Sequence, residues 1–270
     1  MHFVLTLQKK QEMEDVCRIN LPVADSTNLF VREMLEEQRS GQVVSPGVQS
    51  GFTLVVADHQ TAGRGQQGNS WESERGKNLT FSLLCHPVFV KPSSQFLLSQ
   101  CMALAVREAL APHVAAVQVK WPNDIYWKDK KIGGILIENE LEGKFITQSI
   151  VGIGLNVNQE VFRSSAPNPV SLIQILGVTI NRQELLDRIL RGIMASYIFL
   201  EKDYKAAVHN LRQLYIRRLY RREGFYPYRD KEGTFLAEFQ DVEPSGHLVL
   251  KDEQGNLRRY AFKEVEFVLP

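Results

Sequence analysis

Residues 117–158, VQVKWPNDIYWKDKKIGGILIENELEGKFITQSIVGIGLNVN, decide the fold of the chain. Branched and aromatic residues dominate four segments of this stretch, which predicts strands over 117–120, 125–127, 131–140 and 145–157. Pro122 cannot donate to a strand ladder and the Asn-Asp pair after it favours a turn, so the first strand ends there. The stretch therefore predicts an antiparallel core whose polar residues gather at strand ends.

The segments on either side complete an α+β pattern. Asp25-Ser26-Thr27-Asn28 supplies helix-capping side chains ahead of apolar residues at helical spacing. The same criteria predict helices over 29–38, 95–110, 181–200 and 205–218, and strands over 52–57 and 79–84. Beyond Gly224 the chain changes to short alternating strands. We therefore predict a large domain over residues 1–222 and a small β-domain over residues 223–270.

The composition excludes several classes of protein. The 270 residues include 32 Lys and Arg against 31 Asp and Glu, and the formal charge of +1 argues against broad binding of nucleic acid or anionic membranes. With 44% hydrophobic and 23% charged residues, the chain has the balance of a globular protein. No apolar run reaches the roughly 18 residues of a membrane helix, and three well-separated cysteines indicate neither disulfides nor a metal site. We expect a cytoplasmic protein.

The strand over 52–57 leads into a glycine-rich loop that contains Gly63-Arg64-Gly65. Bare glycine backbone admits an anion closely, and the Arg64 guanidinium offers a planar fork for phosphate or carboxylate oxygens. The loop matches neither the dinucleotide-binding pattern nor the P-loop pattern, and taken alone an ordinary turn is the simpler explanation. Trp71 at the end of the loop is either a core residue or a platform for an adenine ring.

Lys120 and Lys131 flank the turn that carries Asn123 and Asp124. Two surface lysines are the simplest interpretation of such a pair. Together with the turn, however, they supply cations for a polyphosphate and an oxygen ligand for Mg²⁺. The two glycines at the start of the next strand permit close approach of the backbone.

Five ordered motifs resemble those of the biotin protein ligases. They are Asp25-Ser26-Thr27-Asn28, Gln60-Thr61-x-Gly63-Arg64-Gly65, Lys120-Trp121-Pro122-Asn123-Asp124, Lys131-x-Gly133-Gly134-Ile135-Leu136 and Gly152-Ile153-Gly154-Leu155-Asn156-Val157-Asn158. Their order and approximate spacing match the family, and the resemblance covers roughly residues 21–270. The tail Ala261-Phe262-Lys263-Glu264-Val265 is similar to the end of the family's C-terminal SH3-like domain.

The resemblance implies a fold and a reaction. The expected fold is α+β, with a mixed β-sheet flanked by helices that is similar to class II aminoacyl-tRNA synthetases, followed by a small SH3-like β-barrel. The expected enzyme joins biotin to ATP as biotinyl-5′-AMP with release of pyrophosphate. It then transfers biotin to a lysine of a biotin carboxyl carrier protein. Mg²⁺ accompanies ATP, the resemblance leaves a homodimer open, and no nucleic acid or membrane partner is expected.

The resemblance also assigns roles to residues. The cations expected to promote the reaction are Arg64, Lys120 and Lys131. The residues expected to bind biotin are Ser26, Thr27, Asn28, Gln60, Gly63, Arg64, Lys131, Gly133 and Gly134. Those expected to bind the nucleotide are Arg64, Gly65, Gln66, Gln67, Gly68, Trp71, Asn123, Lys131 and Asn156. Asp124 is the expected Mg²⁺ ligand, and the loop around residues 63–70 is expected to close over the intermediate.

The chain departs from the family pattern in two places. Gln66-Gln67 stands where relatives often carry two arginines, which predicts weaker retention of the adenylate. Too few residues precede Asp25 for a three-helix DNA-binding domain. The sequence therefore favours a monofunctional ligase over a biotin-responsive repressor.

Two other functions stay open. A lipoate-protein ligase shares the fold and the adenylation chemistry but takes a different acyl chain, and the Lys120–Asp124 motif together with the C-terminal β-domain favours biotin. A non-catalytic regulator that binds biotin or its adenylate would not need Lys120, Asp124 and Lys131, which are all present.

An arginine cluster lies near the end of the last predicted helix. It consists of Arg212, Arg217, Arg218, Arg221 and Arg222. Cations complement the dipole at a helix end, so a solvated face is favoured over a nucleic-acid stripe. Docking of an acidic carrier domain is a third option.

Overall fold

The computed structural model describes residues 16–41, 51–164 and 166–269. The larger of its two sheets has seven strands. They are β1 (Val16–Leu21), β2 (Phe52–Ala57), β3 (Leu79–Cys85), β4 (Val117–Lys120), β5 (Asp124–Trp127), β6 (Lys130–Glu142) and β7 (Phe145–Leu155). The order β1-β2-β3-β7-β6-β5-β4 is parallel between β1 and β2 and antiparallel elsewhere. The predicted mixed sheet is confirmed.

Helices cover both faces of this sheet. They are α1 (Thr27–Arg39), α2 (Phe96–Leu110), α3 (Leu172–Leu176), α4 (Arg182–Lys202) and α5 (Tyr204–Arg217). Ile150 of β7 packs in a buried cluster with α1, whereas the next residue, Val151, belongs to the cluster that contains α2. Since successive strand residues point to opposite faces, α1 and α2 lie on opposite sides of the sheet. No helix in the described part of the chain is long and apolar enough to cross a membrane.

The C-terminal region folds into a second sheet of five antiparallel strands. They are β8 (Phe225–Asp230), β9 (Gly233–Val242), β10 (Leu248–Asp252), β11 (Leu257–Tyr260) and β12 (Glu266–Phe267). Their order is β11-β10-β9-β8-β12. This sheet agrees with the small SH3-like β-domain expected from the sequence.

The two sheets share one hydrophobic core. Tyr228 of β8 belongs to the same buried cluster as Phe96 of α2. At the seam between the sheets, Trp121 Nε1 donates a hydrogen bond of 2.9 Å to the Gly246 carbonyl oxygen. The second sheet is therefore held against the first by apolar packing as well as by a partly buried hydrogen bond.

The arginines of the cluster contact different groups and do not form one continuous surface. Arg212 donates two hydrogen bonds, of 2.7 and 2.6 Å, to the Asp241 carboxylate of β9. Arg218 lies 3.3 Å from Glu108 of α2. Arg221 is buried and donates to two backbone carbonyls of the C-terminal region. These contacts favour a structural role for the cluster over a nucleic-acid stripe.

Most sequence-predicted elements are confirmed, and the strand predicted over 52–57 coincides with β2. Three elements were not predicted: β1, α3 and β8. The α3 helix is only five residues long, which is too short for a helical repeat of apolar residues. The β8 strand contains Pro227, and a proline argues against a strand because it cannot donate to the ladder.

Gly246→Ala is expected to destabilise the seam between the sheets. Gly246 has a φ of +91°, and an added Cβ would lie 2.9 Å from the Phe96 ring. Gly255 has a similar φ of +86° but open space around the Cβ position, so Gly255→Ala is the matched control. We expect the control to lose about 1–2 kcal/mol of unfolding free energy from backbone strain. We expect Gly246→Ala to lose about 1–3 kcal/mol more from overpacking, measured by urea unfolding. Equal losses would contradict the contact.

Candidate active site

A cavity of about 760 Å³ opens between the larger sheet, the glycine-rich loop and the C-terminal sheet. The predicted site residues that line it are Ser26, Thr27, Asn28, Gln60, Arg64, Gly65, Gln66, Trp71, Lys120, Asn123, Asp124, Lys131, Gly134 and Asn156. Gly63, Gly68 and Gly133 lie outside this lining. The side chain of Gln67 falls outside the described part of the chain. Side chains from five separate motifs therefore meet in one cavity.

Glycines on β6 and β7 form the floor of the cavity. Gly134 pairs with Gly154 across the two strands, and Gly152 lies two residues further along the same face. Glycine weakens a strand interior, so its presence here indicates that another group approaches closely. The Trp71 indole fills the space above Gly154 and the Asn28 amide fills the space above Gly152. A Cβ at either glycine would collide with these groups.

The start of α1 supplies a buried polar end to the cavity. Ser26, Thr27 and Asn28 are each at most 4% exposed, and Ser26 makes no side-chain capping hydrogen bond although it is the N-cap residue. The Thr27 backbone N–H instead donates to Gln60 Oε1 at 2.8 Å. Ser82 Oγ of β3 lies 2.7 Å from Thr27 Oγ1 and 2.6 Å from Asn28 Oδ1. The side chains predicted as helix caps thus form a hydrogen-bonded wall of the cavity.

The glycine-rich loop folds back on itself as a tight hairpin. The Trp71 N–H donates to the Gly63 carbonyl at 2.8 Å, and the Gly65 N–H donates to the Asn69 carbonyl at 2.6 Å. A Cβ at Gly63 would lie 2.5 Å from the Trp71 carbonyl oxygen, so Gly63 shapes the loop rather than the cavity wall. Arg64 is exposed at the cavity, and none of the ion pairs in the described chain involves it. Its charge is therefore available to an anion.

Lys131 and Asp124 form an ion pair where β5 and β6 meet. Lys131 Nζ lies 2.7 Å from Asp124 Oδ1, with the two side chains 32% and 22% exposed. Gly134 pairs with Asp124 across the strands, and a Cβ at Gly134 would lie 3.3 Å from both charged atoms. The glycine therefore leaves room for the pair, which holds Lys131 in place at the cavity.

Lys120 lies beneath the second sheet. Its Nζ is 4.7 Å from the centroid of the Phe267 ring and 5.2 Å from the centroid of the Tyr126 ring, so both rings attract the cation. Burial lowers the pKa of Lys120 below its ordinary value of 10.5, and the charge of Asp124 opposes that shift. Lys120 is thus a cation in a place where burial disfavours charge.

Two buried polar atoms at the cavity lack hydrogen-bond partners within the described residues. They are the donor Trp71 Nε1 and the acceptor Asn156 Oδ1. The other end of the Asn156 amide donates to the Val170 carbonyl at 3.2 Å, which fixes the orientation of the side chain. Buried polar atoms are normally satisfied. Both residues line the cavity, although these two atoms themselves are covered by the chain.

Three carboxylates line the described part of the cavity: Glu72, Asp124 and Glu266. No group of three or more His, Cys, Asp or Glu residues is placed to hold a metal ion anywhere in residues 16–41, 51–164 and 166–269. Asp124 is paired with Lys131, and the carboxylate of Glu72 accepts the backbone N–H groups of Arg163 and Ser164. A metal ion at this cavity would therefore need most of its ligands from a bound substrate.

A comparison with protein families matches residues 33–156 to the biotin/lipoate A/B protein ligase family. Residues 33–156 therefore carry a domain of this family. The matched region contains the glycine-rich loop, both lysines of the cavity and the strand glycines of its floor, so the family match and the cavity coincide.

The relatives that the chain matches are named as ligases. The bifunctional ligase/repressor BirA of Escherichia coli strain K12 is 32% identical over 187 residues, which are 68% of this chain and 54% of that protein. The biotin–[acetyl-CoA-carboxylase] ligase of Mycobacterium tuberculosis is 32% identical over 164 residues, which are 57% of this chain and 59% of that protein. The chain therefore spans little more than half the length of these relatives.

A solved structure of the family has the same fold over nearly the whole chain. The biotin protein ligase from Aquifex aeolicus in complex with biotin and ATP superposes with a TM-score of 0.73 and 26% identity, and covers 94% of this chain and 99% of that one. The α+β architecture with its C-terminal β-domain is therefore the architecture of a biotin protein ligase.

The ligase motifs leave one wall of the cavity unassigned. Phe262, Val265, Glu266 and Phe267 of the C-terminal region line the cavity. Their only signal in the sequence is the tail 261–265, which resembles the family's C-terminal domain but contains no group whose chemistry points to this cavity. Only the packing of the second sheet on the first brings these residues to the site.

Lys120→Met is expected to change how stability depends on pH. Because the pKa of Lys120 is lowered below 10.5 in the folded protein, the unfolded chain binds more protons between the two pKa values. The free energy of unfolding therefore gains a contribution that rises with pH through this window. Lys120→Met removes that rise, whereas the exposed control Lys144→Met keeps it. Urea unfolding at several pH values up to 10.5 measures how the free energy of unfolding changes with pH in each variant. Identical slopes in Lys120→Met and the native chain would contradict the lowered pKa.

Proposed function

We propose that the chain is an ATP-dependent biotin protein ligase that forms biotinyl-5′-AMP and transfers biotin to a lysine of a biotin carboxyl carrier protein. The observation that carries this proposal is the division of one cavity into two ends. A neutral, hydrogen-bonded end at Ser26–Asn28 faces an end that contains Arg64, Lys120 and Lys131. A substrate with a polar head and a carboxylate tail, placed beside a polyphosphate, matches this division.

In the proposed complex the ureido ring of biotin lies at the neutral end. Ser26, Thr27 and Asn28 supply buried hydroxyl and amide groups and Gln60 adds a half-buried amide, which suit a ring that both donates and accepts hydrogen bonds. The carboxylate of biotin then points toward the cations. The Aquifex aeolicus ligase supports the choice of these two ligands, because its solved structure is a complex with biotin and ATP.

The nucleotide lies at the cationic end in this proposal. The adenine ring is assigned to Trp71 and Asn156, which both line the cavity. The biotin carboxylate attacks the α-phosphorus of ATP, an oxygen–phosphorus bond forms, and pyrophosphate leaves with the displaced electron pair. This step needs positioning and charge stabilisation rather than proton transfer, and Arg64, Lys120 and Lys131 supply it.

Mg²⁺ is proposed to enter with ATP rather than to reside in the protein. Asp124 lines the cavity beside Lys131, and one carboxylate plus substrate phosphates is a common arrangement for Mg²⁺. When bound, the ion neutralises phosphate charge. The residues of the chain hold and orient the reacting groups around it.

The second step requires an acceptor lysine at the cavity mouth. The ε-amine of that lysine attacks the acyl carbon of the adenylate, an amide bond forms, and AMP leaves. We propose that the glycine-rich loop excludes water meanwhile, because the mixed anhydride would otherwise hydrolyse. We further assign residues 1–222 to the ligase domain and residues 223–270 to a β-domain that covers Lys120. We place the activity in the cytoplasm, where ATP is present.

Lys131→Ala is expected to reduce biotin-dependent pyrophosphate release by at least about a hundredfold, because a cation next to the developing charge is lost. Lys130→Ala is the matched control: Lys130 is exposed, adjacent in sequence and outside the cavity lining. Release is measured with Mg·ATP and either biotin or lipoate, and transfer is measured as a mass increase of an apo carrier domain. Release with lipoate alone would assign the chain to the lipoate ligases. Binding of biotin without release would favour a regulator.

Gln66→Arg is expected to slow dissociation of the adenylate. Gln66 lines the cavity beside Arg64, and an added guanidinium would attract the phosphate of the bound intermediate. Gln254→Arg, at an exposed turn of the second sheet, adds the same charge away from the cavity. Quench-flow trapping of free biotinyl-5′-AMP gives the release rates. If both variants release the adenylate as fast as the native chain, Gln66 does not account for its retention.

A further inference from the structure

We infer that Glu138 is a positioning residue that fixes which atoms of the cavity's neutral end donate hydrogen bonds and which accept them. The inference rests on the proposed function, because it concerns recognition of biotin at that end. Glu138 lies on the cavity-side face of β6, two residues beyond Leu136, and opposite Ile150 of β7. It is not itself part of the cavity lining, so it acts through a neighbour.

That neighbour is Asn28. Asn28 Nδ2 donates to Glu138 Oε2 at 2.7 Å, and Arg32, one turn further along α1, pairs with Glu138 Oε1. A carboxylate paired with a guanidinium is ionised and can only accept hydrogen bonds. The amide group of Asn28 that faces Glu138 must therefore be the NH₂ group. Its oxygen must then face Ser82, in the space that Gly152 leaves open.

The orientation of this amide determines the hydroxyl groups next to it. Asn28 Oδ1 can only accept, so the hydroxyl hydrogen of Ser82 points to it across 2.6 Å. Ser82 Oγ is then an acceptor for the Thr27 hydroxyl at 2.7 Å, which is a shorter contact than the 3.2 Å from Thr27 Oγ1 to Gln60 Oε1. With its hydrogen turned to Ser82, Thr27 Oγ1 presents lone pairs to the cavity.

Gln60 completes the pattern with the opposite polarity. Its Oε1 already accepts the Thr27 backbone N–H at 2.8 Å. The amide group left for a ligand is therefore Nε2, a donor. An acceptor at Thr27 and a donor at Gln60 match the N–H and the carbonyl oxygen of a ureido group. Without an acceptor-only group at position 138, the Asn28 amide is free to rotate by half a turn and to reverse this chain of donors and acceptors.

Glu138→Met tests the inference because methionine keeps the length of the side chain and removes the acceptor. We expect the KM for biotin in pyrophosphate release to rise about tenfold, in line with the loss of a hydrogen bond to a charged group. We expect kcat and the KM for ATP to stay within about twofold. Glu140→Met is the matched control, since Glu140 pairs with Arg39 between the same helix and strand but contacts no residue of the neutral end. In Glu140→Met the KM for biotin, the KM for ATP and kcat should all stay within about twofold of their values in the native chain.

A biotin analogue separates hydrogen-bond polarity from general damage to the fold. In 2-iminobiotin an N–H group replaces the ureido carbonyl oxygen, so the ratio of its KM to that of biotin reports the polarity of the site. We expect this ratio to fall in Glu138→Met and to be unchanged in Glu140→Met. Arg32→Met breaks the same ion pair but leaves the acceptor for Asn28, so its KM for biotin should stay within about twofold.

The outcomes distinguish this inference from the proposed function. A native chain without biotin-dependent release would overturn both. A native chain that is active, with the same KM for biotin and the same analogue ratio in Glu138→Met, would overturn the positioning role alone. A rise in both KM values with an unchanged ratio would assign Glu138 to the stability of α1 and would also overturn the inference.

Discussion

The site depends on a patch without side chains on one face of two paired strands. Gly134 pairs with Gly154, and Gly152 lies further along the same face, so the backbone there can be approached directly. Because the side-chain period of a strand is two, a shift of one residue in the β6–β7 pairing would turn Ile153 to this face and fill the patch. The long pairing of β6 with β7, which extends well beyond the glycines, holds the register. The pairing of β6 with β7 therefore determines both the stability of the sheet and the shape of the cavity.

The start of α1 illustrates how the same patch changes the role of a sequence motif. Ser26, Thr27 and Asn28 are good capping residues, yet Ser26 makes no side-chain capping bond and Asn28 reaches down to Gly152 instead. The helix forms because its apolar residues Val31 and Leu35 pack on the sheet. Because apolar packing stabilises the helix, these polar side chains are not needed as caps and can line the cavity instead.

Much of this arrangement could be predicted from the sequence. The contacts that could not be predicted join residues that are far apart along the chain. Local patterns predicted β2, the hairpin of β5 and β6 and the strand β7, since each depends on residues close in sequence. Charge and glycine content pointed to the loop at Arg64. Sequence could not reveal that Phe267 covers Lys120, because that contact joins residues far apart along the chain and depends on how one sheet packs on another. Glu138 could not be predicted for the same reason: nothing local distinguishes it from Glu140.

The three cations of the cavity lie in three different environments, and their environments affect how they bind an anion. Arg64 is exposed on a loop, Lys131 is paired with Asp124, and Lys120 lies under aromatic rings with a pKa lowered by burial. A bound anion favours the charged form of Lys120, while protonated Lys120 favours the bound anion, so the two equilibria are coupled. Neither Arg64 nor Lys120 forms an ion pair within the described residues, so a bound anion supplies a partner that these residues do not. The folded site is therefore most stable when an anion completes it.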